Sequence, residues 1–258
     1  MKYYYANGRL MSGYVAEALR HLGKVGVLSS RDWGRYFCRN KHRRWQERQL
    51  GHLRKSGYIK KHPASSLLGK WILDEKGKAF LYARNWSIVN PVPANHVDHD
   101  EFVARTLCEM EQASYIYSWR VERELKMMNQ KDYMVSNKDG EMKFPDAVFT
   151  MQLPSGVRTI ALEYERRGKS ESRYRSILWN YSALTSISLV IFICEDESIS
   201  RRIERALKHI GNTELFDRLA ITSALEWKSS PLEAPIKMSR GVLNLKSVCL
   251  KFEERMAG

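Results

Sequence analysis

The sequence predicts a mixed α/β protein in two parts: an N-terminal helical domain closed by a β-hairpin, then a larger domain with a central mixed sheet flanked by helices. Three observations favour this organisation. The excess positive charge lies in the first third of the chain, prolines interrupt residues 90–97, and the chain beyond them alternates helical and strand-like segments. With 258 residues the chain can bury two hydrophobic cores. We therefore expect domains at residues 1–90 and 95–258.

The charge asymmetry indicates what the first domain binds. Residues 1–90 carry 19 Lys and Arg against 5 Asp and Glu, whereas residues 91–258 carry 24 of each. Such an asymmetry is typical of a surface that binds phosphate groups and releases their counterions. The charge therefore favours a nucleic-acid surface on the first domain, with DNA as the first choice. An RNA-binding patch and a membrane-surface patch are the alternatives.

The first domain is predicted to contain three helices, two strands and a closing helix. The helices are expected at residues 12–22, 32–37 and 43–55, and the strands at 58–61 and 71–73. Asp74 would cap the closing helix. This order matches a winged helix-turn-helix, whose third helix enters the major groove of DNA. The alternative is a winged helix used only for protein contacts.

Basic residues on the third helix and the first strand are the candidate DNA contacts. They are Arg43, Arg44, Arg48, Lys55, Lys60 and Lys61.

The second domain is predicted as an alternation of helices and strands. Helices are expected at residues 98–111, 170–184 and 199–210, and strands at 115–122, 144–151, 157–165, 188–194 and 219–222. The strand at 188–194 is apolar throughout, which is typical of a central strand.

Three carboxylates are expected to meet on this sheet. Asp146 opens one predicted strand, and Glu163 and Glu165 share one face of the next strand because strand residues alternate faces. The turn between the two strands makes them antiparallel neighbours, which brings Asp146 alongside the pair. Adjacent carboxylates repel each other unless a proton or a cation lies between them. The pattern predicts an Mg²⁺ or Mn²⁺ site that activates a nucleophile and stabilises charge on a phosphodiester.

Spacing alone leaves a second interpretation of the two glutamates open. Glu163 and Glu165 could line a solvated sheet edge and pair with Arg166 and Arg167.

The segments FPDAVF and IALEYE, which follow a helix and a strand, resemble the PD-(D/E)xK core of restriction endonucleases. Over nearly its full length the chain is similar to the replication-relaxation proteins and the MobC-class plasmid mobilisation relaxases. The residues that carry this resemblance are His99, 119–125, Pro145, Asp146, 162–165, Gly168 and Tyr181.

The resemblance implies a winged helix followed by a restriction-endonuclease-like sheet. It also implies roles for four residues. Asp146 and Glu163 would hold the metal, Glu165 would complete the site or act as a base, and Glu122 would assist as a ligand or an acid–base group.

One position departs from this pattern. Many nucleases of the superfamily carry lysine as the third motif residue, where it orients the attacking water, and here that residue is Glu165. Lys169 could take over the role of the lysine, or it could be a solvated lysine at a helix start.

Other candidate residues have ordinary structural explanations. Glu122 could equally be a salt-bridged carboxylate at a strand end. His96 and His99 are more typical of a capped or solvated helix start than of a metal site. Tyr174 and Tyr181 are expected to pack against the sheet.

The sequence thus predicts a metal-dependent enzyme that makes a site- and strand-specific nick in double-stranded DNA at a plasmid origin of transfer. An accessory nicking protein and a coupling protein are the partners that this function implies. One rival is a DNA-binding replication or transcription regulator whose nuclease fold is not catalytic, and another is a defence or repair endonuclease. The missing motif lysine favours the regulator, whereas the three carboxylates favour the enzyme.

Cysteine usage and hydropathy indicate the compartment. The chain has no CxxC pair, so Cys38, Cys108, Cys194 and Cys249 are expected to be reduced thiols. The longest apolar run has the length of a strand, and the first residues do not form a signal peptide. We therefore expect a cytoplasmic protein that does not insert into the membrane.

Overall fold

The computed structural model describes residues 3–6, 9–64, 69–136 and 142–251. The chain divides into two compact units, Met1–Arg105 and Thr106–Gly258. This division falls inside a helix, at a later position than the proline-containing segment from which we predicted the boundary.

The first unit combines helices with a three-stranded antiparallel sheet. Its helices are α1 (Gly13–Val25), α2 (Ser30–Asp32), α3 (Arg43–Lys55) and α4 (Glu75–Tyr82). A π-helical turn, Trp33–Phe37, continues α2. Its strands are β1 (Tyr3–Ala6), β2 (Arg9–Ser12), β3 (Leu28–Ser29), β4 (Ile59–Lys61) and β5 (Lys70–Leu73). The strands β1 and β2 pair with each other, and the sheet has the order β3-β5-β4.

The predicted helices of this unit are confirmed, and α3 has the predicted bounds. Apolar residues of α1 and α3, among them Leu19 and Leu53, pack into one core with Trp33. The prediction that the Asp74 side chain caps α4 is wrong. Asp74 occupies the N-cap position, but its side chain makes no capping hydrogen bond and instead pairs with Lys60 at 3.2 Å.

A buried histidine in α1 makes the stability of this unit depend on pH. Burial, with help from the charges of Lys24 and Arg20, lowers the pKa of His21 to about 3. The unfolded chain takes up a proton near pH 6.5, so stability is complete above that pH and is lost as the pH falls towards 3. We expect chemical denaturation to show about 2 kcal/mol less stability at pH 5 than at pH 7 from this residue. The variant His21→Leu should lose less stability between pH 7 and pH 5. An equal loss in the variant would show that His21 does not cause the pH dependence.

The proline-containing segment packs onto the first unit. The Val89 N–H donates to the carbonyl oxygen of Gly23 at 2.8 Å. His62 donates from Nε2 to the carbonyl oxygen of Val92 at 2.8 Å, and Val92 is buried. The start of the segment is therefore bound to the unit, whereas residues 93–96 are exposed.

Helix α5 (Val97–Gln112) begins after this segment, and its first turns also belong to the first unit. Arg105 donates to both carboxylate oxygens of the buried Asp32, at 3.1 and 2.9 Å. Lys70 pairs with the buried carboxylate of Glu101.

These contacts predict how fragments of the chain will behave. A fragment of residues 1–90 lacks the partners of Asp32 and Lys70, whereas a fragment of residues 1–112 keeps them. Because removing one partner of a buried ion pair is costly, the shorter fragment should be less stable by on the order of 3 kcal/mol. Urea denaturation of both fragments measures the difference, and equal midpoints would place the boundary near residue 90 after all.

The second unit is built on a seven-stranded mixed sheet flanked by helices, as the sequence predicts. Its strands are β6 (Ile116–Val121), β7 (Val135–Ser136), β8 (Met142–Lys143), β9 (Ala147–Leu153), β10 (Gly156–Glu165), β11 (Leu189–Cys194), β12 (Leu219–Ser223), β13 (Ile236–Met238) and β14 (Gly241–Leu243). Its further helices are α6 (Glu122–Met127), α7 (Glu171–Ala183), α8 (Glu197–Ile210), α9 (Thr213–Asp217), α10 (Ala224–Ser229) and α11 (Leu245–Val248).

The strand order of the large sheet is β14-β13-β12-β11-β10-β9-β6. The strands β10, β11 and β12 run parallel to one another, and β9 runs antiparallel to β10. Residues of α7, α8 and β11 form the main core of this unit, which holds β10 in the interior. The small pair β7 and β8 lies outside this sheet.

Two predicted strand ends in this unit are wrong, and both errors concern candidate site residues. The strand expected from residue 144 begins at Ala147, because Pro145 has no N–H to donate to a ladder. The strand expected to end at Glu122 stops at Val121, and Glu122 is instead the first residue of α6. Asp146 therefore lies directly before β9, and Glu122 lies directly after β6.

No helix within the described ranges has both the length and the apolar character that crossing a bilayer requires.

Candidate active site

The antiparallel pairing of β9 with β10 brings Asp146 to Glu163. Ala147 pairs with Leu162, and one residue further along this register Asp146 faces Glu163. The Tyr164 N–H donates to Asp146 Oδ2 at 2.7 Å, and the Glu122 N–H donates to the Asp146 carbonyl oxygen at 2.9 Å. The aspartate is thus held by backbone groups of both neighbouring segments.

Both glutamates of β10 are buried. Glu163 is 1% exposed and Glu165 is 2% exposed, so neither lines a solvated edge. The interpretation that they pair with Arg166 and Arg167 at the sheet surface is therefore wrong.

Each buried glutamate receives one lysine and one tyrosine. Lys143 donates from Nζ to Glu163 Oε2 at 3.0 Å, and Tyr181 donates from Oη to Glu163 Oε1 at 2.5 Å. Lys169 donates to both carboxylate oxygens of Glu165, and Tyr174 donates to Glu165 Oε2 at 3.3 Å. We call this group, together with Asp146, the carboxylate cluster.

The two tyrosines come from one face of α7, because residues seven positions apart lie two helical turns apart. Both side chains are fully buried, which confirms that they pack against the sheet. Burial and the nearby carboxylates raise the pKa of Tyr174 and of Tyr181 above its ordinary value. Both hydroxyl groups therefore stay protonated and act as hydrogen-bond donors, not as ionised nucleophiles.

The cluster carries more negative than positive charge. Burial, opposed by the charge of Lys143 and assisted by the charges of Asp146 and Glu165, raises the pKa of Glu163 to about 7. Burial also lowers the pKa of Lys143, but the carboxylates of Glu163 and Asp146 outweigh it and raise this pKa above its ordinary value. Lys143 therefore stays charged. Three carboxylates face two ammonium groups.

Lys143 is the residue of the cluster that the sequence analysis missed. It lies three residues before Asp146, in the segment KFPD, and ends the short strand β8. The predicted strand began at residue 144, so the alternation of its side chains did not include Lys143. The position of Lys143 three residues before Asp146 could have identified it.

Lys169 is not a solvated lysine at the start of a helix. Its side chain is 25% exposed and its ammonium group contacts Glu165. The protein therefore places two lysines in the cluster, although the third motif residue itself is a glutamate.

Glu122 contacts the cluster with its backbone and not with its carboxylate. Its N–H binds Asp146, while its carboxylate pairs with Lys126 of α6 at 2.7 Å. This is the salt-bridged arrangement that the sequence left open. His99 contacts Asp100 at 3.1 Å, and His96 is exposed.

The donor chemistry of the cluster fits a divalent cation. Carboxylate oxygens are the ligands that Mg²⁺ and Mn²⁺ prefer, and a cation would balance the excess negative charge. Within the described part of the chain, no three His, Cys, Asp or Glu side chains are arranged as a metal site. The glutamate oxygens bind lysine and tyrosine instead, so a metal would have to compete with the two lysines.

The candidate DNA contacts lie on the surface of the first unit. Arg44, Arg48 and Lys55 of α3 are exposed, and so is Lys61 of β4.

Two further candidates pair with acidic neighbours. Arg43 contacts Glu47 at 2.9 Å, and Lys60 contacts Asp74 at 3.2 Å. The exposed arginine and lysine residues of α3 besides Arg43 are Arg44, Arg48, Arg54 and Lys55.

Comparison with known proteins gives one match. The family model described as replication-relaxation matches residues 19–189, about two thirds of the chain. The matched span runs from α1 to the first residue of β11, so it contains Asp146, both buried glutamates and α7. No curated protein and no solved structure matches the chain. The chain belongs to the replication-relaxation family.

Proposed function

We propose that this protein is a relaxase that makes a metal-dependent, site- and strand-specific nick at a plasmid origin of transfer. The observation that carries the proposal is the carboxylate cluster: three acidic side chains from adjacent segments, two of them fully buried, around which the fold supplies lysines and tyrosines. Buried acidic groups with perturbed pKa values cluster at catalytic sites, so this arrangement supports an enzymatic role. Membership of the replication-relaxation family supports a role in DNA metabolism.

The residues of the cluster have distinct roles in this proposal. Asp146 and Glu163 would hold the Mg²⁺ or Mn²⁺ ion, and Glu165 would complete the site or accept the proton of the nucleophile. The ion would supply positive charge at the scissile phosphate. In hydrolysis, water attacks phosphorus and gives one proton to Glu165, the bond to one bridging oxygen breaks, and that oxygen takes a proton from solvent as it leaves. Glu122 would assist through its backbone N–H, which donates to the carbonyl oxygen of Asp146.

The fold of each unit supports this proposal. Helices α1 to α3 followed by the strands β4 and β5 have the order of a winged helix-turn-helix, in which α3 contacts duplex DNA. The acidic residues of the mixed sheet lie on β10 and just before β9, which is the placement that we expect for a PD-(D/E)xK nuclease domain. An accessory nicking protein and a coupling protein would complete the transfer machinery.

A second candidate function is a DNA-binding regulator without catalysis. The specific observation in its favour is that Glu163 and Glu165 each already have a lysine and a tyrosine. Such pairs can stabilise a fold without a metal.

Incubation with supercoiled plasmid separates the two candidates. The plasmid carries the origin of transfer of the element that encodes the chain, and the reaction is run with Mn²⁺ or with EDTA. The relaxase should convert the plasmid to the open circle in Mn²⁺ alone, with a single nick that maps to one strand of the origin. Duplex binding without open circle in either buffer would favour the regulator, and nicks scattered over the plasmid would indicate a less specific endonuclease.

A further inference from the structure

Helix α3 has two faces with different chemistry. Leu50 and Leu53 are buried in the core, and Gln46, on the same face, donates to the carbonyl oxygens of Cys38 and Lys41. The opposite face contains the residues at positions i, i+4, i+7 and i+11. These are Arg44, Arg48, Gly51 and Lys55, of which the three basic residues are exposed and Gly51 is half-buried.

Gly51 has no evident role in the folding of this unit. A Cβ atom built on Gly51 meets no atom within 4 Å. Two other helical glycines of the unit differ from it, since a Cβ on Gly23 would lie 2.3 Å from Leu81 Cδ1 and one on Gly77 would lie 2.1 Å from the carbonyl oxygen of Tyr58. The close packing of the chain explains Gly23 and Gly77 but does not explain Gly51.

A glycine at this position also weakens the helix. Apart from proline, glycine is the residue least favourable to a helix interior, because its backbone loses the most conformational freedom. Gly51 is the ninth residue of the 13-residue helix α3 and lies more than one turn from either end. The unit thus carries a residue that costs stability on the basic face of α3.

We infer that Gly51 is the point at which the backbone of α3 approaches duplex DNA most closely. This inference rests on the proposed DNA-binding function of the first unit. The major groove is about 12 Å wide, and a helix with its side chains is about 10–12 Å across, so a missing side chain lets the helix axis lie deeper in the groove. Arg48 and Lys55 flank Gly51 by about one turn on each side, where they reach phosphates or base edges.

The charge of the unit supports duplex DNA as the partner of this face. Residues 1–90 carry the entire net charge of +14. Duplex DNA is a regular polyanion. It therefore fits the basic face of α3, which has no side chain at Gly51.

The test uses the full chain and duplexes selected by it from a random pool of about 30 base pairs, a length that covers a helical turn on each side of a site. Gly51→Ala and Gly51→Leu should raise the melting temperature by roughly 2–4 °C, because both residues favour a helix. Affinity for the selected duplex should fall roughly tenfold with alanine and further with leucine. Ala83→Leu adds three carbon atoms, one fewer than Gly51→Leu, at an exposed position of the same unit outside α3 and should leave affinity unchanged.

The outcomes separate this inference from the function on which it rests. If the wild-type chain selects and binds no duplex, the DNA-binding function itself fails. If Arg48→Ala weakens binding but both Gly51 variants bind like the wild type, DNA binding stands and the close approach is overturned. A lower melting temperature for Gly51→Ala would also overturn it, since the glycine would then serve the fold.

Discussion

Asp146→Asn should abolish nicking and at the same time stabilise the metal-free protein. The asparagine keeps an oxygen that can accept the hydrogen bond from the Tyr164 N–H, so the local backbone should not move. It removes one negative charge from a cluster in which Asp146 repels Glu163 and attracts Lys143, and we expect the repulsion to dominate because three carboxylates face two ammonium groups. Losing a metal-holding carboxylate should lower the nicking rate at least about a hundredfold. Losing the repulsion should raise the melting temperature in EDTA and remove the stabilisation that Mn²⁺ gives the wild type.

A matched aspartate serves as the control for this prediction. Asp217 lies in the same unit, and hydrogen bonds from Arg240 and Ser239 lower its pKa. Asp217→Asn therefore loses an attraction and should neither stabilise the fold nor affect nicking. An Asp146→Asn variant that nicks like the wild type would rule out the metal-dependent reaction at this cluster, as would a wild type whose stability and activity do not respond to Mn²⁺.

Lys143→Met should destabilise the second unit strongly. The change leaves Glu163, which is 1% exposed, without its ammonium partner in the interior. Removing one partner of a buried ion pair costs about 3–5 kcal/mol. Urea denaturation at pH 8, where a free carboxyl group is ionised, measures the effect.

Two further variants show whether this cost belongs to the buried pair. The double variant Lys143→Met with Glu163→Gln should recover much of the lost stability, because no uncompensated charge remains. Lys246→Met breaks the exposed pair of Lys246 with Glu233 in the same unit and should change stability little. If the double variant is no more stable than Lys143→Met, the lysine stabilises the fold through packing instead of charge.

Local patterns in the sequence were enough to predict most helices and strands and the three carboxylates of the cluster. The helix α3 could be predicted because its apolar and basic residues alternate at helical spacing. Glu163 and Glu165 could be placed on one strand face, and a single turn joins their strand to that of Asp146. These are short-range features, so a single sequence contains them.

The partners of the glutamates could not be predicted, because they depend on tertiary packing. Lys143 reaches Glu163 from a two-residue strand, and Tyr181 reaches it from a helix eighteen residues further along the chain. Strand alternation suggests one buried and one solvated face. Here, however, α7 covers the side of β10 that bears the glutamates, and both faces are buried.

The tyrosines of α7 give the cluster an optical signal of its own. The absorbance and near-ultraviolet circular dichroism of a phenol depend on the charge of the group to which its hydroxyl donates. Tyr174 and Tyr181 donate to the two buried glutamates and are shielded from solvent. A change in charge at either carboxylate should therefore appear in a difference spectrum of the unmodified protein. Titration with a spectroscopically silent ion such as Mg²⁺ could then be followed without a label, and replacing Tyr181 by phenylalanine would identify which glutamate responds.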